Sequence, residues 1–300
     1  MLLSEFLKSG IESLSALYPA PEARSIVLLL CEERLGTHSY TPIVDPGYEV
    51  DRRILPVLEA DMGRLMQGEP IQYVLGKAEF CGRSFRVTSD TLIPRPETEL
   101  LCREAVRMAC QVRNLRIPFG KEAAPVRILD LCTGSGNIAW TLALEVPGAE
   151  VVGVDISEGA LSVAASQDFK AEMKASGSLP PIFVKADVLD TEQDFPYGSF
   201  DIVLSNPPYI RESEKAAMRR NVLSYEPGTA LFVPDEDPLL FYRAVARLSD
   251  RFLSPEGKGM AEINESLGEE TAAVFRENGF REVVIKRDFY EKSRFIFYSR

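Results

Sequence analysis

The chain has 300 residues, 45% of them hydrophobic and 26% charged, with a formal net charge of −11. Such a composition is that of a globular protein long enough for one large or two medium domains, and its acidity supplies no overall attraction for phosphate. A single histidine, His38, and five cysteines without a C-x-x-C pair disfavour His-dependent triads, zinc sites and a disulfide framework.

The opening stretch "MLLSEFLKSGIESLSAL" places Leu3, Phe6, Leu7, Ile11 and Leu14 at helical spacing, and Glu5 and Glu12 interrupt it, so it predicts an amphipathic helix and not a signal peptide. The apolar run Ile26–Cys31 falls far short of the roughly 20 residues that cross a bilayer. No membrane association is expected, and the cytoplasm follows as the location. Pro19-Ala20-Pro21 breaks the chain before "EARSIVLLLCEERLG", with Gly36 as the helix stop, and a further helix is predicted from about Asp51 to Met66. Residues 1–75 are thus expected to form a helical domain. Eight Lys/Arg against twelve Asp/Glu through Phe85 make it unlike a basic nucleic-acid arm and more like a protein-docking, substrate-recognition module.

From residue 76 to 93 the period changes, and "AEFCGRSFRVTS" alternates around Gly82, predicting a β-hairpin linker. Residues 94–300 then read as an α/β domain. A helix is expected from Thr98 to about Val112, and a polar loop from about Asn114 to Ala124. Strand and helix signals alternate from there: "VRILDL", a Gly loop, "NIAWTLALEV", "EVVGVDIS", the helical "GALSVAASQDFKAEMKAS", "PIFVKADV" and "FDIVLSN". This βαβ pattern specifies a mostly parallel sheet covered by helices on both faces. The ending "REVVIKRDFYEKSRFIFYSR" predicts an antiparallel hairpin at the sheet's edge.

In "ILDLCTGSGN", Cys132, Thr133, Gly134, Ser135 and Gly136 lie between a buried strand and a helix, where a ligand can approach bare backbone and unpaired N–H groups. Asp155 ends the next strand, and a carboxylate there can accept from both hydroxyls of a ribose. The pair marks an adenosine-containing cofactor without saying which one, since Gly134-Ser-Gly136-Asn-Ile-Ala139 also fits the fingerprint of NAD enzymes. Asp187 ends the third strand, where it either meets an adenine edge or simply terminates a surface strand.

"FDIVLSNPPYI" runs a buried strand into Asn206 and stops it with Pro207 and Pro208, which lack backbone donors and fix φ. By itself this is also an ordinary strand-ending turn. Beside an adenosine site it gains a use. The Asn206 amide and the Pro207 carbonyl can hold a planar amide or amine nitrogen, and Tyr209 offers an apolar wall for the target group.

An adenosine site followed by Asn-Pro-Pro-Tyr resembles the class I methyltransferases, which use S-adenosylmethionine to methylate a planar nitrogen. Among them the chain resembles the HemK/PrmC family, which methylates the glutamine of the Gly-Gly-Gln motif in peptide-chain release factors. The resemblance covers nearly the whole chain. Its most specific stretch is "EPIQYVLGKAEFCGRSFRVTSDTLIPRPETELL", Glu69 to Leu101, and "DLCTGSGNIA", "VVGVDIS", "SNPPYI" and "YEPGTALF" match in order and spacing. It implies a Rossmann-like class I methyltransferase domain, mostly parallel with a C-terminal antiparallel hairpin, after a small helical domain. It further implies that Thr133, Gly134 and Gly136 line the cofactor loop, with Cys132 and Ser135 counted beside them as cofactor-binding, that Asp155 holds the ribose, that Val188, just after Asp187, lies near the adenine, and that Asn206, Pro207, Pro208 and Tyr209 grip the substrate glutamine. Asn206 would also lie close to the cofactor. The family usually has Gly where this chain has Cys132. Arg95, Glu97 and Glu99 would hold the linker to the catalytic domain or contact the cofactor. The expected partner is a release factor, with no direct nucleic-acid contact and the chain acting as a monomer. An enzyme acting on adenine in DNA or RNA would need to grip phosphates and flip the base, an NAD dehydrogenase would leave Asn-Pro-Pro-Tyr unexplained, and a non-catalytic docking module would leave both motifs without a use.

Overall fold

The computed structural model describes residues 1–116, 124–193 and 197–300. Residues 1–77 together with 218–225 form one compact unit, and residues 78–217 with 226–300 form a second. In the first, α1 (Leu3–Leu14), α2 (Ala20–Leu35), the short α3 (Thr41–Val44), α4 (Leu55–Met66) and α5 (Ile71–Leu75) enclose a core of Leu14, Val27, Leu30, Leu58 and Leu65. Gly36 ends α2 in the left-handed conformation, φ 67°, as its lack of a Cβ allows. Helix α4 begins at Leu55, not Asp51, because Pro56 fits only the first turn. Two arginines close the end of α5: Arg34 and Arg64 both donate to the Val74 carbonyl while paired to Asp61 and Glu69, cations at a helix C-terminus where free carbonyls gather.

The second unit opens at residue 78, within the hairpin of β1 (Lys77–Phe80) and β2 (Arg83–Arg86). Cys81 and Gly82 turn it, both at positive φ, the backbone of a two-residue hairpin loop. Helix α6 (Thr98–Arg116) outlasts the expected end at Val112; of the loop expected from Asn114 to Ala124, residues 117–123 lie outside the described residues. Then come β3 (Arg127–Leu131), α7 (Asn137–Glu145), β4 (Glu150–Asp155), α8 (Glu158–Ala165), α9 (Lys170–Ser176), β5 (Ile182–Lys185), β6 (Phe200–Ser205) and the two-residue β7 (Ile210–Arg211). Helix α10 (Arg220–Tyr225) belongs to the first unit, where Arg219 pairs with Glu22 at 2.6 Å and the Tyr225 hydroxyl donates to the Gln67 carbonyl. The chain returns through the two-residue β8 (Phe232–Val233), α11 (Leu240–Phe252), β9 (Leu253–Glu262), α12 (Gly268–Glu277), β10 (Glu282–Arg287) and β11 (Ser293–Ser299).

The seven-stranded sheet has the order β10-β11-β9-β6-β3-β4-β5. Strands β9, β6, β3, β4 and β5 run parallel, and β11 joins β9 and β10 antiparallel, so the C-terminal hairpin sits at the edge as expected. Alternate residues feed two cores. Leu129, Leu131, Val152, Val154 and Val203 face α11 and α12, whereas Ile128, Val151, Ile202 and Leu204 face α6 and α7. Every residue of β6 is buried, as a strand covered on both faces requires.

Two elements differ from the sequence reading. The stretch expected as one helix after β4 breaks into α8 and α9 because Gln167 is drawn into the structure. Its amide accepts from the Arg86 N–H at 2.8 Å and donates to the carbonyls of Arg86 (2.9 Å) and Ser135 (3.1 Å), stitching β2 to the glycine loop. Strand β9 carries no expectation at all, since "SPEGKG" has the composition of a turn. Gly259 in it is required by close approach: a Cβ there would lie 2.0 Å from the ring of Tyr298. That ring is packed against Phe275 and Phe280 and fastened by its hydroxyl to Ser249 at 2.8 Å, so it has nowhere to move.

Candidate active site

Strand register assembles the site. Leu131 pairs with both Val154 and Ser205, and Ser205 pairs with Ala261. One residue further along each strand stand Cys132, Asp155, Asn206 and Glu262, level with one another at the carboxyl edge of the sheet, where open α/β sheets bind ligands. Above them lies a cleft of about 320 Å³ lined, among the described residues, by Cys132, Thr133, Gly134, Ser135, Asp155, Asp187, Val188, Asn206 and Pro208, and also by Thr98 and Arg95. Gly136, Pro207 and Tyr209, also expected in the site from sequence, are not among the residues that line it.

The loop between β3 and α7 is held from below. Cys132 adopts φ 62° and Gly134 φ 55°, so at 132 a residue with a Cβ occupies a left-handed position in which glycine would have no steric penalty. The Thr133 N–H donates to the Val154 carbonyl at 2.9 Å, and its hydroxyl to the buried Asp130 at 2.6 Å. A Cβ on Gly134 would meet nothing within 4 Å, so bare backbone faces open space in the cleft. Asp155 accepts from the N–H groups of Gly134 and Ser157, each at 2.9 Å. Burial raises the Asp155 pKa from its ordinary value, and these backbone donors draw it back. A carboxylate has about four acceptor positions, which leaves capacity for ligand hydroxyls.

Burial, opposed by the Thr133 hydrogen bond and aided by the charge of Asp155, pushes the Asp130 carboxyl up to about 7. Folding therefore takes up a proton between the ordinary value of 3.8 and about 7, and the stability linked to that proton is present at low pH and lost as pH rises through about 7. Asp130→Asn keeps an acceptor for Thr133 and does not titrate. The variant should lose less stability than the wild type between about pH 5 and about pH 8, as read from urea midpoints; equal losses would remove Asp130 as the source.

Asn206 is half-buried. Its Nδ2 donates to the Thr98 hydroxyl at 3.2 Å, which in turn donates to Glu262 at 2.7 Å. The other Glu262 oxygen accepts from the Tyr209 hydroxyl at 2.9 Å. Burial and the adjacent Glu262 charge raise Tyr209 well above the usual phenol range, so it stays a donor. The turn after Asn206 is anchored by Asn264, which donates to the Tyr209 carbonyl at 3.1 Å, and β6 by Ser205, whose hydroxyl donates to the Leu131 carbonyl at 2.9 Å. Arg95 donates to the buried Glu226 at 2.7 Å, and Glu226 also accepts from the Ile93 N–H, while Glu99 accepts from the Cys81 N–H at 3.0 Å. Sequence reasoning passed over Glu262 and saw Thr98 only as a helix start; neither carries a motif of its own.

Residues 123–266 match the family model described as a methyltransferase domain, and the sheet order above is that of a class I S-adenosylmethionine-dependent methyltransferase. Sequence relatives narrow this. The chain is 37% identical to the release factor glutamine methyltransferase of Bacteroides thetaiotaomicron, over 96% of this chain and 97% of that one, and 36% identical to that of Flavobacterium psychrophilum, over 99% and 98%. Among solved structures it resembles the ribosomal protein L11 methylase of Lactobacillus delbrueckii subsp. bulgaricus, with a TM-score of 0.44 and 17% identity over 72% of this chain and 84% of that one. The chain belongs to the release factor glutamine methyltransferase family. No helix among the described residues is long and apolar enough to cross a membrane.

Proposed function

We infer that this protein methylates the side-chain amide nitrogen of the glutamine in the Gly-Gly-Gln motif of a peptide-chain release factor. The observation that carries the reading is the placement of Asn206 in the same cleft as Asp155 and Gly134, in a chain whose full-length relatives are release factor glutamine methyltransferases. The cleft fits S-adenosylmethionine: open backbone at Gly134, a carboxylate at Asp155, and apolar lining from Val188, Leu92 and Ile156. When bound, that cofactor supplies an electrophilic methyl group.

The chain's own part is positioning. A primary amide is a poor nucleophile whose lone pair is spread into its carbonyl, so acceptors that grip its N–H groups more strongly as the nitrogen gains positive charge lower the barrier. Asn206 Oδ1 and the Pro207 carbonyl serve as those acceptors, Pro207 and Pro208 keep them in place, and Tyr209, tied to Glu262, holds the turn beside the target group. Once methylated, the nitrogen must shed one of its two hydrogens as a proton, and because an N-protonated amide is a strong acid, water can take that proton and no tuned base is needed. The net charge of −11 disfavours the alternative, methylation of adenine in DNA or RNA. On this reading the protein works as a monomer in the cytoplasm. Incubation with a release factor and labelled cofactor, followed by mass mapping, should place one methyl group on that glutamine; label on nucleic acid alone would overturn the reading.

The helical unit is proposed to dock the release factor. Residues 218–225 are part of it, so surface changes are a cleaner test than deletion of residues 1–77. Ile43 and Val44 are 79% and 71% exposed, and nothing in the fold requires them to be apolar. Ile43→Asp with Val44→Asp should raise KM for the whole release factor by about tenfold, roughly 1.4 kcal/mol, while leaving cofactor affinity and methylation of a short Gly-Gly-Gln peptide unchanged. Equal kinetics on the whole factor would place the docking surface elsewhere.

A further inference from the structure

We propose that Thr98 and Glu262 are positioning residues that fix which way the Asn206 amide faces, and so make position 206 an acceptor for substrate N–H. This deepens the proposed function and rests on it. The argument is one of hydrogen-bond polarity. An ionised carboxylate only accepts, so Glu262, 1% exposed at the end of β9, obliges both hydroxyls that reach it, Thr98 and Tyr209, to donate. A hydroxyl has one hydrogen. With that hydrogen committed to Glu262, the oxygen of Thr98 can only accept, and the group it accepts from is Asn206 Nδ2.

Turning the amide over would set Asn206 Oδ1 against the lone pairs of Thr98. Relief would require the Thr98 hydrogen to leave Glu262 and strand a buried carboxylate oxygen, which interiors avoid. The amide is therefore held with Nδ2 inward and Oδ1 toward the cleft that Asn206 and Thr98 both line. An amide without this restraint would spend part of its time presenting donors to a substrate nitrogen that itself has only hydrogens to offer.

The charged and titratable groups around Glu262 define when the restraint operates. Arg294 on β11 favours the ionised form and is itself paired to Asp288 at 3.0 Å; Glu97 opposes it; the hydroxyls of Tyr209 and Tyr242 face it from the turn after β6 and from α11. Burial raises the carboxyl above its ordinary value, and the Thr98 and Tyr209 hydrogen bonds counter that. As pH falls through this raised value Glu262 gains a proton, Thr98 is no longer obliged to donate, and turnover should fall with it.

The test is Thr98→Val, which keeps the shape and removes the hydroxyl, beside Thr98→Ser, which restores it, in single-turnover methylation of a release factor. Thr98→Val should lower the transfer rate on the order of tenfold to 10²-fold, with cofactor affinity close to wild type and a thermal midpoint lowered because the buried Glu262 oxygen loses its donor, and the acid-side fall in rate should flatten because the Glu262 proton no longer reaches Asn206. Thr98→Ser should recover most of the rate. A Thr98→Val enzyme as fast as wild type, or a Thr98→Ser enzyme as slow as Thr98→Val, overturns the inference while leaving the proposed function standing. A wild-type chain that transfers no methyl to the release factor defeats the reading beneath it.

Discussion

Asn206→Ala lowers the single-turnover rate of glutamine methylation on the order of 10²-fold or more, with a much smaller change in S-adenosylmethionine affinity. The variant removes the acceptor facing the cleft and frees Thr98, whose oxygen loses the Nδ2 donor at 3.2 Å. Asn206→Asp is the sharper comparison. From sequence, the second carboxylate oxygen would be a poor match for the glutamine's own carbonyl. The structure adds a nearer cause: that oxygen takes the place of Nδ2 and meets Thr98, whose single hydrogen is already given to Glu262 at 2.7 Å. Two carboxylates would then compete for one hydroxyl in a buried setting. Both variants should therefore be slow on a release factor. Near-normal methylation by Asn206→Ala, or activity confined to adenine-containing DNA, would be incompatible with the assigned role.

Asp155→Ala should weaken S-adenosylmethionine binding by about 1–3 kcal/mol, roughly 5- to 150-fold. The carboxylate does two things at once. It is placed to accept ribose hydroxyls, and it fastens the loop through the Gly134 N–H at 2.9 Å while receiving Ser157 at 2.9 Å. Alanine loses the first and releases the second. Because burial already raises this carboxyl's pKa, its removal relieves a desolvation cost, and the fold should persist. Titration calorimetry on the variant, with circular dichroism as the folding control, decides the matter; unchanged affinity would remove Asp155 from the ribose.

Where sequence reading succeeded, the signal was local. The glycine loop, Asp155 and Asn206 each follow an apolar run that ends abruptly at glycine, a charge or proline, so the strand end and the candidate residue beyond it are marked together. The left-handed glycines, Gly36 capping α2 and Gly82 in the hairpin turn, were readable from sequence as well, because glycine itself marks such positions. Helices α8 and α9 were read as one because nothing local shows that Gln167 must leave the helix to bond Arg86 and Ser135, residues 81 and 32 positions away. Strand β9 was invisible because its first half has turn composition, tolerated here because Gly259 lets the Tyr298 ring lie against it.

By itself, the sequence determined the parallel sheet, the glycine loop and Asp155 at its carboxyl edge and the rigid Asn-Pro-Pro-Tyr turn, since each is written in residues within a few positions of one another. Only the tertiary structure decided that Glu262 and Thr98 stand behind that turn and set the direction of the Asn206 amide. They are 164 residues apart, and what joins them is the register of β9 against β6, Ala261 beside Ser205. Such a pairing is selected by the burial of whole strand faces and leaves no mark on either residue alone.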